Sequence, residues 1–141
     1  MRRLERAVGE RGRRRGEGGT AVVEAVLVVP LVLVPVLVGV VILGDLAHTR
    51  IVLDAAAAAG ARQAAVIGAD GPSVRNRIAV ELANGGLDPG TVRVLVTPAS
   101  AAWGEQLRVR LTVTERADIP FLGSWTLPLA AEFVTRSEVT H

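Results

Sequence analysis

The chain has 141 residues, sixteen Arg and no Lys against fourteen Asp and Glu, and no Cys; half of it is hydrophobic but only 3% is aromatic. This composition excludes disulfide scaffolds, thiolate metal sites and cysteine nucleophiles, and the absence of Lys excludes a phosphate-loop lysine and Schiff-base chemistry. The length allows one small domain at most, so the location of the aliphatic residues decides the class.

The first nineteen residues hold seven Arg and three Glu, a side-chain charge of +4. No aromatic residue interleaves these arginines, and a topogenic role explains them, so nucleic acid is not an expected partner. Residues 25–44 then run for twenty positions without a charged or polar side chain: nine Val, five Leu, one Ile, one Ala, two Gly and two Pro. A helix rises about 1.5 Å per residue, so twenty residues cover about 30 Å, the thickness of a bilayer's hydrocarbon core. Fifteen strong aliphatics contribute about −5 to −9 kcal/mol on the insertion scale, before correction for Pro, Gly and depth. A buried soluble helix or two buried strands is the competing reading, but so small a chain has too little material to cover a helix that is apolar on every side. The run is therefore expected to be a single transmembrane helix in membrane lipid, bent where Pro30 and Pro35 interrupt the hydrogen-bond ladder. It exceeds the 7–15 apolar residues of a cleaved secretory signal, and no small-residue cleavage site closely follows it. Beyond the run, nine Arg meet ten acids, a side-chain charge of −1. The positive-inside rule then predicts a cytoplasmic N-terminus and an exported C-terminal part, the whole anchored in a membrane by a single pass.

Residues 45–68 are rich in helix formers, with Arg50 and Asp54 at i,i+4, and predict an outward extension of the same helix. Its alanine run, residues 55–59, reads either as high helix propensity or as a small face for close packing. After a breaker at 68–72, Ser73 is the expected N-cap of a short helix reaching about Ala83 and closed by Asn84, Gly85 and Gly86. Residues 91–97 place Val92, Val94 and Val96 against Arg93, Leu95 and Thr97. Residues 105–115 alternate more cleanly, Leu107, Val109, Leu111 and Val113 against Arg108, Arg110, Thr112 and Thr114, and residues 127–138 are the third candidate strand. The predicted fold class is α+β: a long N-terminal transmembrane helix extending into a small exported domain with a short helix and a three-stranded antiparallel sheet. The exported part of the long helix is the expected lid over the sheet. The corresponding divisions are a basic cytoplasmic leader, 1–19, a transmembrane helix, 20–44, a helix extension, 45–68, and an α+β domain, 69–141.

No catalytic constellation stands out, and neither an enzyme nor a cofactor is expected. Four Ser accompany only His48 and His141, and His48 with Asp45 offers two metal ligands where a site needs more, so a solvated turn is the simpler reading. Gly16, Gly18 and Gly19 follow no strand and precede no Lys, unlike a phosphate-binding loop. Core packing is the default expectation for Trp103 and Trp125, with a membrane surface or a subunit contact as the alternative. Glu24 is the one charge between Thr20 and Gly44. An acid deep in a membrane helix costs about 2.5–3.5 kcal/mol at the midplane and less near the interface. Two readings fit Glu24: an interfacial carboxylate in contact with headgroup water, or a residue with an assembly partner.

Gly18-Gly19-Thr20-Ala21-Val22-Val23-Glu24, followed directly by the apolar run, resembles the class III signal of type IV pilin-like proteins. The whole pattern is most similar to the TadE-like family of minor pilins or pseudopilins in tight-adherence, Flp-type, pilus assembly. The resemblance includes Pro30 and continues into the Ala-rich stretch 54–66, with a fainter similarity over AAEFVTRSEV near the C-terminus. Ala25 departs from it, standing where the family and its relatives often carry an aromatic residue. The resemblance implies cleavage between Gly19 and Thr20 by a prepilin peptidase, and pairing of the Glu24 carboxylate with the new Thr20 amine on the same or a neighbouring subunit. It also implies other pilin-like subunits and the pilus assembly machinery as partners. A membrane-anchored exported structural domain with an unrelated envelope role is the alternative, and peptidase-dependent processing separates the two.

Overall fold

The computed structural model describes the backbone of residues 2–119 and 123–139, and the side chains of residues 23, 24, 26–119 and 123–139. Helix α1 spans Arg2–Ile67, α2 spans Pro72–Asn84, and three strands follow: β1, Arg93–Thr97; β2, Gln106–Ile119; and β3, Gly123–Arg136. Two compact units divide the chain, Met1–Val41 and Ile42–His141. The first is helical and carries most of the apolar run; helix α1 is unbroken at Pro30 and Pro35. The second contains the C-terminal part of α1, α2 and the sheet. The α+β architecture expected from the sequence is the one observed.

The sheet is antiparallel in the order β1-β2-β3. Its register follows the alternation: Leu107, Val109, Leu111, Val113 and Ala117 of β2 are buried, while Arg108, Arg110, Thr114 and Arg116 on the other face are exposed. Residues 42–67 of α1 supply the predicted cover, with Leu53, Ala56, Ala57, Ala61 and Ala64 in one core with Leu107, Val109 and Leu111. Helix α2 shares that core through Val74, Ile78 and Leu82, so the lid is a helix pair rather than α1 alone.

Small residues set the spacing of that pair. A methyl group on Gly60 of α1 would overlap the Ile78 side chain, with its Cδ1 at 2.6 Å, and one on Gly85 would overlap Val52, with Cγ2 at 2.6 Å. The contacts 60 to 78 and 52 to 85 run in opposite senses along the chain, so α2 lies antiparallel on α1. The alanine run packs closely here: Ala56, Ala57, Ala59, Ala61, Ala64 and Ala65 are all buried. Helix α1 ends where Gly68 adopts φ +68, its N–H donating to the Ala64 carbonyl at 2.8 Å. The exit is tied down on two sides, by Ala101 N–H to the Gly68 carbonyl at 2.7 Å and by Glu138 N–H to the Ala65 carbonyl at 2.9 Å.

Four local expectations are corrected. The N-cap of α2 is Gly71 and not Ser73, because Pro72 occupies the first helical turn, where its fixed φ suits the helix and its missing N–H costs nothing. The segment at 91–92 is not strand: Pro89–Thr91 forms a 3₁₀ turn capped by the Asp88 carboxylate, which accepts from Gly90 N–H at 2.9 Å. The second strand extends beyond Glu115 to Ile119, and the third begins at Gly123 rather than at 127 and ends at Arg136. Pairing of β2 with β3 runs from Gln106–Arg136 to Ile119–Gly123, so cross-strand hydrogen bonding carries both strands past the part where apolar and polar residues alternate clearly.

Candidate functional site

The first candidate segment is the apolar run. Residues 26–29 point in four directions around α1, and all four are exposed, as are Leu31, Val32, Leu33 and Val34. A helix presenting aliphatic side chains on every side within its own unit has no protein core to bury them, and lipid is the solvent that suits such a surface. Among the described residues, α1 is the one helix long and apolar enough to cross a membrane, by length and composition.

Glu24 sits on α1 immediately before this run, and its side chain is exposed. Gly19 and Thr20 belong to the same helix by backbone, while their side chains lie outside the described residues. Four residues separate Thr20 from Glu24, one helical turn with a rise of about 6 Å. Helical side chains lean toward the N-terminus, so this spacing puts Glu24 on the face above the Thr20 backbone nitrogen. The three residues therefore lie within little more than one turn of helix, directly ahead of the apolar segment.

Residues 19–62 match the model of the TadE-like protein family. Over this stretch the chain is similar to the TadE-like family. Membership of this family is associated with pilus assembly and with the machinery of tight-adherence pili in general. The matched stretch begins at Gly19, takes in Glu24 and the whole apolar run, and ends within the buried alanine-rich part of α1. Comparison with curated proteins gives no match, and neither does comparison with solved structures.

Among the described residues the ion pairs stand apart from one another at the surface. His48 Nε2 lies 3.0 Å from the Gly85 carbonyl, so the imidazole sits against the end of α2 rather than on a free turn. Arg50 pairs with Asp54 at 3.1 Å, as the i,i+4 spacing predicts, and also donates to the Ala130 carbonyl of β3. No group of three or more His, Cys, Asp or Glu side chains able to hold a metal occurs among the described residues. An open groove of about 440 Å³ crosses the outer face of the sheet beside Leu95, Arg108, Arg110 and Glu132. It contains one ion pair, Arg108 to Glu132 at 3.1 Å, and no nucleophile with a base.

Both tryptophans correct the expectation of core packing: Trp103 is 68% exposed and Trp125 59%. Trp103 lies in the turn before β2, and Trp125 lies near the far end of the β2–β3 hairpin, where β1 does not reach. The sequence carried a signal for the second, in the apolar stretch 119–129, but its placement at an overhanging tip depends on the strand register.

Proposed function

We propose that this protein is a minor pilin or pseudopilin-like component of tight-adherence pilus assembly, held in the cytoplasmic membrane by residues 20–44 before assembly. In this reading the basic residues of 1–19 keep the N-terminus in the cytoplasm and residues 45–141 are exported. A prepilin peptidase cuts between Gly19 and Thr20, and the new amine pairs with Glu24 on the same or an adjacent subunit. The role is structural rather than enzymatic, and the partners are membrane lipid, the peptidase, other pilin-like subunits and the assembly machinery.

One observation carries the reading: the family match starts at the candidate cleavage pair and runs through Glu24 and the lipid-compatible helix without interruption. The physical logic follows from the one-turn spacing of Thr20 and Glu24. Cleavage replaces an amide by a cation one turn from the carboxylate, and at the edge of a low-dielectric layer opposite charges at that distance attract more strongly than in water. An apolar helix with one fixed polar end can exchange lipid for the helices of neighbouring subunits while retaining a register mark.

The test is intact-mass measurement of the membrane-extracted chain from cells with and without the peptidase. Loss of residues 1–19 only when the peptidase is present is the expected result. A chain that keeps its N-terminus in both strains refutes processing. Glu24→Ala should stay in the membrane but fail to enter pili, and normal incorporation of that variant refutes the assembly role of the carboxylate.

A further inference from the structure

The β2–β3 hairpin overhangs its own sheet. Strand β1 pairs with β2 only from Arg108 to Thr112, whereas β2 and β3 stay paired out to Ile119 and Gly123. Beyond Thr112 the hairpin is two-stranded, and such a ribbon is marginal in water without cover. Its two faces differ. One carries Thr114, Arg116, Asp118, Ser124 and Thr126, and Arg116 bonds Asp118 at 3.4 Å and Ser124 at 3.0 Å, so that face is polar and locally neutralised. The other carries Ala117 and Ile119 with Trp125 and Leu127 of β3; Glu115, opposite Leu127, is the one charge on it, between Val113 and Ala117, which are both buried. Trp125 and Leu127 are exposed on it.

Contacts within this unit fix the hairpin's direction. Ala65 of α1 meets Glu138, and Arg50 meets Ala130, so β3 runs in the same sense as α1 and its Gly123 end points toward the N-terminal side of the helix. From Ala130 to Gly123 is seven strand residues, about 23 Å. From Arg50 back to Gly44, where the apolar run ends, is six helical residues, about 9 Å. Cover over this helix face persists that far: Ile42 and Leu46 are half-buried in line with Thr49 and Leu53, while Leu43, Gly44, Asp45 and Ala47 are exposed. The hairpin therefore has more than enough length to reach the level at which α1 meets lipid.

We propose that the hairpin tip is a second membrane contact, with Ile119, Trp125 and Leu127 seated at the headgroup–acyl boundary of the leaflet from which Asp45 emerges. The occupant is lipid because the patch is reached from the end of the apolar run. Its residues also match an interfacial site: an amphipathic indole with aliphatic neighbours on one face and hydrated polar groups on the other. The unpaired outer edge of β3 limits the depth, since backbone groups without partners are not tolerated in the hydrocarbon core. Two contacts would fix the tilt of the exported unit over the membrane, which a single helix leaves free.

The proposal rests on α1 being a membrane anchor, and the experiment separates the two. The full chain is reconstituted in phosphatidylcholine–phosphatidylglycerol vesicles with lipid brominated high on the acyl chain. Trp103→Phe leaves Trp125 as the only indole, and Trp125→Phe leaves Trp103, which lies beyond the opposite end of β2, about 36 Å of strand from the level of Trp125. Both substitutions are at exposed positions, and circular dichroism checks that the fold is kept. The expected result is co-flotation of both variants with the vesicles, with blue-shifted emission strongly quenched by brominated lipid for Trp125 and unquenched emission for Trp103. Co-flotation with Trp125 no more quenched than Trp103 overturns the hairpin contact and leaves the anchor standing. Blue-shifted but unquenched Trp125 emission that changes with the protein-to-lipid ratio also overturns it, because a second copy then covers the patch. Failure of the chain to float overturns the anchor itself, and the hairpin contact with it.

Discussion

Gly60→Ala tests the packing of α1 on α2 most directly. Adding a methyl group to an exposed helix glycine stabilises by about 1 kcal/mol through helix propensity. Here the new Cβ meets Ile78, with Cδ1 at 2.6 Å, and Ile78 is fully buried, so the side chain has little room to move aside. Overpacking of this kind costs about 1–3 kcal/mol, leaving a net destabilisation of about 0–2 kcal/mol. Ile78→Ala alone should cost about 2–5 kcal/mol by removing buried volume. In that background the sign of Gly60→Ala reverses: the clash is gone, the methyl fills part of the space, and the substitution should stabilise by about 1 kcal/mol or more. Thermal unfolding of the detergent-solubilised chain, followed by circular dichroism, reads this as a double-mutant cycle. For a unit of about 100 residues each kcal/mol moves Tm by about 4–8 °C. If Gly60→Ala has the same effect in both backgrounds, the two side chains do not meet and the helix-pair packing is wrong.

Leu53→Ala, at a fully buried position facing the sheet, should lower stability by about 2–5 kcal/mol in the same unfolding assay. Ser137→Ala removes a buried hydroxyl that donates to the Ala101 carbonyl at 3.1 Å and should cost about 1–2 kcal/mol; denaturant melts with an unchanged slope would show a pure stability effect. Asp54→Ala breaks an exposed i,i+4 pair and should change stability by no more than about 0.5 kcal/mol, an effect that vanishes at high salt. Gly68→Ala forces a side chain into φ +68 against Ala101 and Ser137, and should destabilise by about 1–2 kcal/mol with earlier melting of the C-terminal segment in hydrogen exchange.

The sequence by itself determined the elements whose physics is local. An uninterrupted stretch of twenty residues without a polar side chain defines a lipid-compatible helix whatever else the chain does, and strict alternation over 105–115 assigns the buried and exposed faces of β2 correctly. The family likeness was legible because a short motif ahead of that run can be recognised without any tertiary context. Tertiary structure decided what depends on distant partners. The start of α2 was misplaced because Pro72 and Ser73 both favour helix starts, and only the backbone path shows which one is used. Alanines 56 to 65 carry high helix propensity whether buried or not; it is the approach of Ile78 to Gly60 that makes their size matter. Trp125 reads as a core residue by type, yet the register of β3 against β2 carries it past the end of β1, where too few strands remain to bury it. Periodicity fixes which way a side chain faces along its own element, whereas burial requires a second element at the same level, and that is set by long-range pairing.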